Sequence, residues 1–134
     1  MRPITKITIL GVRLAVIALI AYWLLIFVGT HLPRLPDMAP HVGDKVMHFG
    51  AFFGLGTILC YVTNSRHLVQ RFTVIGLVGM TYAALDELTQ NLVSGRTADI
   101  MDFAADAAGI WSAIACYAIA RIFVERWRNM PATV

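Results

Sequence analysis

The sequence predicts an all-α integral membrane protein of four transmembrane helices, with both termini in the cytoplasm. Three observations carry this expectation. Apolar residues make up 58% of the 134 residues and charged residues only 14%, whereas soluble domains run nearer about half and about a quarter. The apolar excess lies in four long stretches, and the cations flank those stretches unevenly. A chain this short cannot hide so much apolar surface in a water-soluble core. A soluble helical bundle would also need a polar face on each surface helix, and the first stretch has none.

The first span is expected from Ile7 to Val28, interrupted only by Arg13. At ~22 residues it would rise about 33 Å, enough to cross the hydrocarbon core. Arg2 and Lys6 before it resemble the start of a signal peptide, but the apolar run is too long and no small-x-small cleavage site follows, so the segment is expected to be retained. A loop with Pro33, Pro36 and Pro40 comes next. Further spans are expected over 45–62, 72–92 and 102–123, separated by Asn64-Ser65 and Ser94-Gly95. Together they make a single membrane domain over 1–134. Small-xxx-small pairs at Gly50/Gly54, Gly79/Ala83 and Ala105/Gly109 suggest close packing of spans two to four, with span one more peripheral.

Charge then orients the spans. Arg2, Lys6, Arg13, Arg66, Arg71, Arg121, Arg126 and Arg128 fall on one side, and only Arg34, Lys45 and Arg96 on the other. The positive-inside rule makes the first side cytoplasmic. Seven of the eight acids lie opposite: Asp37, Asp44, Asp86, Glu87, Asp99, Asp102 and Asp106. Acids contribute little to topology, so this asymmetry needs another cause. The net charge of +3 comes from cations that flank spans rather than form a basic stripe, and no nucleic-acid partner is expected. Cys60 and Cys116 lie inside apolar stretches with no CxxC spacing and are expected as small buried hydrophobes. Trp23, Trp111 and Trp127 read as packing or interface anchors, and His31, His41 and His67 as solvated loop residues.

The acids fall on helix faces. Asp44 and His48 are four apart and Lys45 and His48 three apart, so all meet at the outer start of span two. Asp86, Glu87 and Gln90 share the outer end of span three. Asp99, Asp102, Asp106 and Gly109 form one stripe at the start of span four, with Arg96 just before it. The set converges on one pocket. Ionisable groups at membrane depth are costly unless paired or hydrated, which marks them as a candidate site. The bland alternative is that Arg96, Lys45 and His48 neutralise the carboxylates and only hold helix ends together. Asp99 and Asp102 also suit helix caps.

Asp44-Lys45-Val46-Met47-His48-Phe49, with Phe52 to Gly56 following, resembles the first signature of VanZ-like membrane proteins. Asp86-Glu87-Leu88-Thr89-Gln90, then Gly95-Arg96, Asp99, Asp102, Asp106 and Gly109, resembles the second. The match covers residues 44 to 109. Two positions depart from the pattern: relatives often carry His where Thr89 stands and Pro where Ser94 stands. The resemblance implies a cell-envelope membrane protein. The family's namesake is associated with low-level resistance to teicoplanin, a glycopeptide with a lipid tail.

Two functions of different class follow. The first is binding of a lipid, a lipid-linked envelope precursor or a lipoglycopeptide at the outer leaflet. Asp44, Lys45, His48, Glu87, Gln90, Arg96, Asp99, Asp102 and Asp106 would form the ligand site, with Arg96 and Lys45 suited to phosphate. The second is a membrane-embedded hydrolase or transferase acting on a lipid-linked phosphate. Its candidate catalytic residues are His48, Glu87, Asp86, Arg96 and Asp102. No Ser or Cys stands in a nucleophile motif. No cofactor or metal is expected. A divalent ion is the weaker alternative, and one histidine with several carboxylates would suit Mg, Mn or Ca better than Zn. The small size leaves a homo-oligomer open.

Overall fold

The computed structural model describes residues 7–9, 12–32, 41–65 and 67–130. Arg2, Lys6, the prolines of the first loop, Arg34, Asp37, Arg66 and the His41 side chain lie outside the described residues.

The chain opens with a short antiparallel hairpin, β1 (Thr8–Ile9) and β2 (Val12–Arg13). Four helices follow: α1 (Leu14–Thr30), α2 (His41–Val62), α3 (Leu68–Gln90) and α4 (Ile100–Arg128). Four helices in an all-α bundle agree with the expected class, but their limits differ. The first helix begins at Leu14, not Ile7. Ile7, Thr8, Ile9 and Val12 are β-branched, and stiff χ1 angles favour extended backbone. Arg13 is therefore the extended N-cap of α1 and does not interrupt a span. The second helix starts at His41 rather than Lys45. The third covers Leu68–Gln90 rather than 72–92. The fourth runs to Arg128 rather than Phe123. Arg126 and Arg128 thus sit in its last turn, where cations suit the negative end of the helix dipole.

Lengths and apolarity decide what can cross a bilayer. Gly43–Val62, Leu68–Gln90 and Ile100–Arg128 are long and apolar enough to do so. The α1 helix is apolar but has 17 residues, about 25 Å of rise. Leu24, Leu25, Leu77, Leu88, Ile119 and Phe123 stand exposed on the outside of the bundle. The inside holds Asp86, Glu87, Asp102 and Asp106. This reversal is the pattern for a protein whose solvent is lipid.

The helices run alternately up and down. Lys45 and His48 near the start of α2 bond to Asp102 and Asp106 near the start of α4. Thr30 at the end of α1 reaches Asp86 near the end of α3. The far end of the bundle joins Arg13 to the Val62 carbonyl, and Arg71 to the Cys60 carbonyl, Thr63 and Tyr117. Cys60 and Val62 lie in the last turn of α2, whose carbonyls lack helical partners. The two arginines therefore cap α2, a role that charge counting alone does not reveal.

The core is Phe52, Leu55, Leu59, Cys60, Ile75, Ile110 and Ile114, with Phe52 stacked against Tyr82 at 5.5 Å. The tightest approach joins α2 and α4. A Cβ placed on Gly109 would lie 2.5 Å from the Phe49 carbonyl oxygen and 2.8 Å from the Phe53 nitrogen. Gly54 faces Tyr22 of α1, and Gly79 faces Ile110. Gly50 meets nothing within 4 Å, and Gly56, against Ala113 and Ile110, supplies the second close contact. Cys60 is buried as expected, while Cys116 is exposed on the outside of the bundle.

Candidate functional site

The polar cluster is built from one end of each helix. The turn between α3 and α4 sets its geometry. Gly95 takes φ 78°, the left-handed backbone that glycine tolerates. Asn91 accepts from the Ala98 amide at 2.8 Å, closing the turn. Asp99 is the N-cap of α4 and accepts from the Met101 amide at 2.8 Å. Glu87 reaches across from α3 and accepts from the Asp99 amide at 2.9 Å. That contact fixes the start of α4 against the end of α3.

Two layers result. The outer layer is the Lys45 ammonium between Asp99 Oδ2 at 2.9 Å and Asp102 Oδ1 at 2.8 Å. Asp99 is thus both cap and ion-pair partner, and Asp102 is buried. The inner layer is almost closed to the surroundings. His48 Nδ1 donates to Asp106 Oδ1 at 2.9 Å and stands 3.9 Å from Glu87 Oε1. Thr30 Oγ1 donates to Asp86 Oδ1 at 2.8 Å, and Gln90 Nε2 donates to Asp86 Oδ2 at 3.0 Å. Arg96 donates to Gln90 Oε1 at 3.2 Å and to the Leu32 carbonyl at 2.9 Å. Asp86 is 1% exposed and Asp106 is 0% exposed. The second oxygen of Asp106 has no hydrogen-bond partner among the described residues.

Asp86, Glu87, Gln90, Arg96, Asp99, Asp102 and Asp106 therefore gather with Lys45 and His48 at one end of the bundle. Asp44 has a carboxylate oxygen within 4.8 Å of donor atoms of His48 and Asp102 and lies beside a cavity of about 200 Å³ between α1 and α2. Tyr22, Leu25, Ile26, Met47 and Ala51 form apolar walls, and Thr30, Asp44, His48 and Arg96 make the polar end. Leu25 and Met47 are themselves exposed, so the cavity opens as a slot on the side of the bundle.

Two residues escaped sequence reasoning. Thr30 is buried and holds Asp86. His31 is not a solvated loop residue: it caps α1, stacks on Phe27 at 4.0 Å and lies 2.9 Å from Thr89 Oγ1. A polar pair closing an apolar run was the available signal. Thr30→Val keeps the shape and removes the donor from a buried carboxylate. It is expected to cost about 1.5–3 kcal/mol, measured by SDS-titration unfolding in mixed micelles.

A family model described as VanZ/LLP1 matches residues 15–121. No curated protein matches the chain, and no solved structure does. The matched stretch contains both layers of the cluster, the slot beside them, two of the three helices long enough to cross a bilayer and most of the third. The chain, a membrane protein by those helices, belongs to the VanZ/LLP1 family.

Proposed function

We propose that this protein, one membrane domain over residues 1–134, binds a lipid or lipid-linked molecule of the bacterial cell envelope at the outer leaflet of the cytoplasmic membrane. The observation that carries this reading is the slot, with apolar walls between α1 and α2 that lead to Thr30, Asp44, His48 and Arg96. An acyl chain lies along the walls while its head group meets the polar end. Arg96 supplies positive charge for a phosphate. Lys45 is held by two carboxylates and does not line the slot, so the phosphate contact falls to Arg96. The excess of flanking cations at the opposite end supports a cytoplasmic location for both termini.

Size narrows the ligand. Pockets that enclose a drug-sized molecule run from about 300 Å³ upward. A cavity of about 200 Å³ takes a stretch of chain and leaves a large head group outside. A lipoglycopeptide of the teicoplanin type would enter by its tail alone, which would link the slot to resistance.

Gly29 provides the test. It lines the slot, and a Cβ there meets nothing within 4 Å. Gly29→Leu therefore fills the slot without touching the polar cluster. Native mass spectrometry of protein incubated with envelope lipids should show one retained lipid. Gly29→Leu should reduce retention at least about tenfold, equivalent to ~1.4 kcal/mol, and Arg96→Gln should reduce it for phosphate-bearing lipids. Teicoplanin, with and without its acyl chain, forms a parallel arm. Equal retention by wild type and Gly29→Leu would remove the slot from the account.

A second reading is a membrane-embedded hydrolase of a lipid-linked phosphate. The observation favouring it is His48, held through Nδ1 by Asp106 and forming part of the slot's polar end. A histidine oriented by a buried carboxylate is the usual arrangement of a general base. Conversion of a lipid in the same incubation, abolished by His48→Ala, separates catalysis from binding.

A further inference from the structure

The inner layer holds more negative charge than its visible partners answer. Asp86, Glu87 and Asp106 are all buried. The Lys45 ammonium is spent on the outer layer, on Asp99 and Asp102. The ion-pair partners of the inner carboxylates among the described residues are two imidazoles. His48 stands 2.9 Å from Asp106 and 3.9 Å from Glu87, and His31 stands 3.9 Å from Asp86. Thr30 and Gln90 add neutral donors to Asp86. None of these reaches Asp106 Oδ2, a buried oxygen without a hydrogen-bond partner among the described residues, on a side chain that is 0% exposed. An isolated carboxylate oxygen removed from water is expensive, and more so at membrane depth.

From this geometry we infer that His48, Asp86 and Asp106 form a binding site for a divalent cation of the magnesium and manganese class. One donor atom from each residue lies within 4.8 Å of the others. Opposite ligands of such an ion stand about 4.2 Å apart and adjacent ones about 3 Å, so small side-chain adjustments complete the set. One nitrogen with carboxylate oxygens suits these hard ions better than zinc. The three residues come from α2, α3 and α4, so the ion ties three helices together, the usual construction of metal sites in bundle cores. Thr30 and Gln90 hold Asp86 from behind, the outer support that ligating carboxylates need. A bound ion gives Asp106 Oδ2 its missing partner and offsets the surplus charge in one step.

A second grouping, Asp44, His48 and Asp102, also falls within 4.8 Å. It is the weaker site because Asp102 is occupied by the Lys45 ammonium at 2.8 Å. Among the described residues, the inner site has no such ammonium competitor. With the ion in place His48 is a ligand, and a general-base role for it lapses.

The inference stands apart from lipid binding and is tested without added lipid. Full-length protein in nanodiscs is stripped with EDTA and titrated with Mn²⁺, with free ion followed by its sharp electron paramagnetic resonance signal. Wild type should take up one Mn²⁺ per chain, and pulsed measurements should show coupling to a nitrogen nucleus from His48. Asp106→Asn should weaken uptake by about 100-fold or more, and Mg²⁺ should displace the ion. Asp102→Asn should retain it. Uptake no greater than in empty nanodiscs overturns the proposal. So does bound Mn²⁺ without nitrogen coupling, or uptake undiminished in Asp106→Asn. The nitrogen coupling is read on wild type, so a variant that fails to fold leaves the decision intact.

Discussion

Gly109→Val is expected to destabilise the bundle by about 3 kcal/mol or more, at the upper end of overpacking effects. The added Cβ meets the Phe49 carbonyl oxygen and the Phe53 nitrogen. Both are backbone atoms of α2, and no rotamer change can clear them. The two helices must move apart, and that separation falls where Lys45 bonds Asp102 and His48 bonds Asp106. Loss of packing and loss of the cluster should therefore appear together. SDS-titration unfolding in mixed micelles measures the cost. Gly50→Ala is the control, because a Cβ at Gly50 meets nothing within 4 Å. Its helix-propensity gain of up to about 1 kcal/mol should leave stability unchanged or raised. If Gly109→Val were as stable as wild type, the close α2–α4 contact would be wrong.

Arg71→Leu should cost about 2–4 kcal/mol at the opposite end of the bundle. Arg71 is buried, donates to the Cys60 carbonyl and to Thr63 Oγ1, and lies 5.0 Å from the centre of the Tyr117 ring. Leucine keeps apolar bulk but leaves the Cys60 carbonyl without a donor where water is scarce. Unfolding in mixed micelles gives the loss. Hydrogen exchange should show it concentrated in the last turn of α2. Exchange rising evenly over all four helices would argue against a local cap.

Much of the cluster was legible because helical spacing is a strong local rule. Asp99, Asp102 and Asp106 could be placed on one stripe, and Asp86, Glu87 and Gln90 on one face, before any coordinates. What spacing cannot supply is which stripe meets which. That Lys45 joins Asp99 and Asp102 while His48 joins Asp106 depends on the crossing of α2 and α4, which Gly109 and Gly56 set. Hydropathy located the spans but misjudged the first one. It registers apolarity and is blind to conformation, so Ile7, Thr8, Ile9 and Val12 counted as helix when they belong to or flank a hairpin. Arg71 shows the same limit from another side. Counted as a flanking cation, it turned out to face inward as a cap.

The shortness of α1 has a consequence for the lipid around it. At about 25 Å of rise it falls short of a hydrocarbon core of about 30 Å, while α4 at 29 residues reaches about 43 Å. A bilayer adjusts to a short apolar surface by thinning beside it. Thinning of that kind would fall along α1, the helix that borders the slot, rather than along α4. Head groups beside α1 would then lie nearer the depth of Thr30 and Arg96 than those around the rest of the bundle.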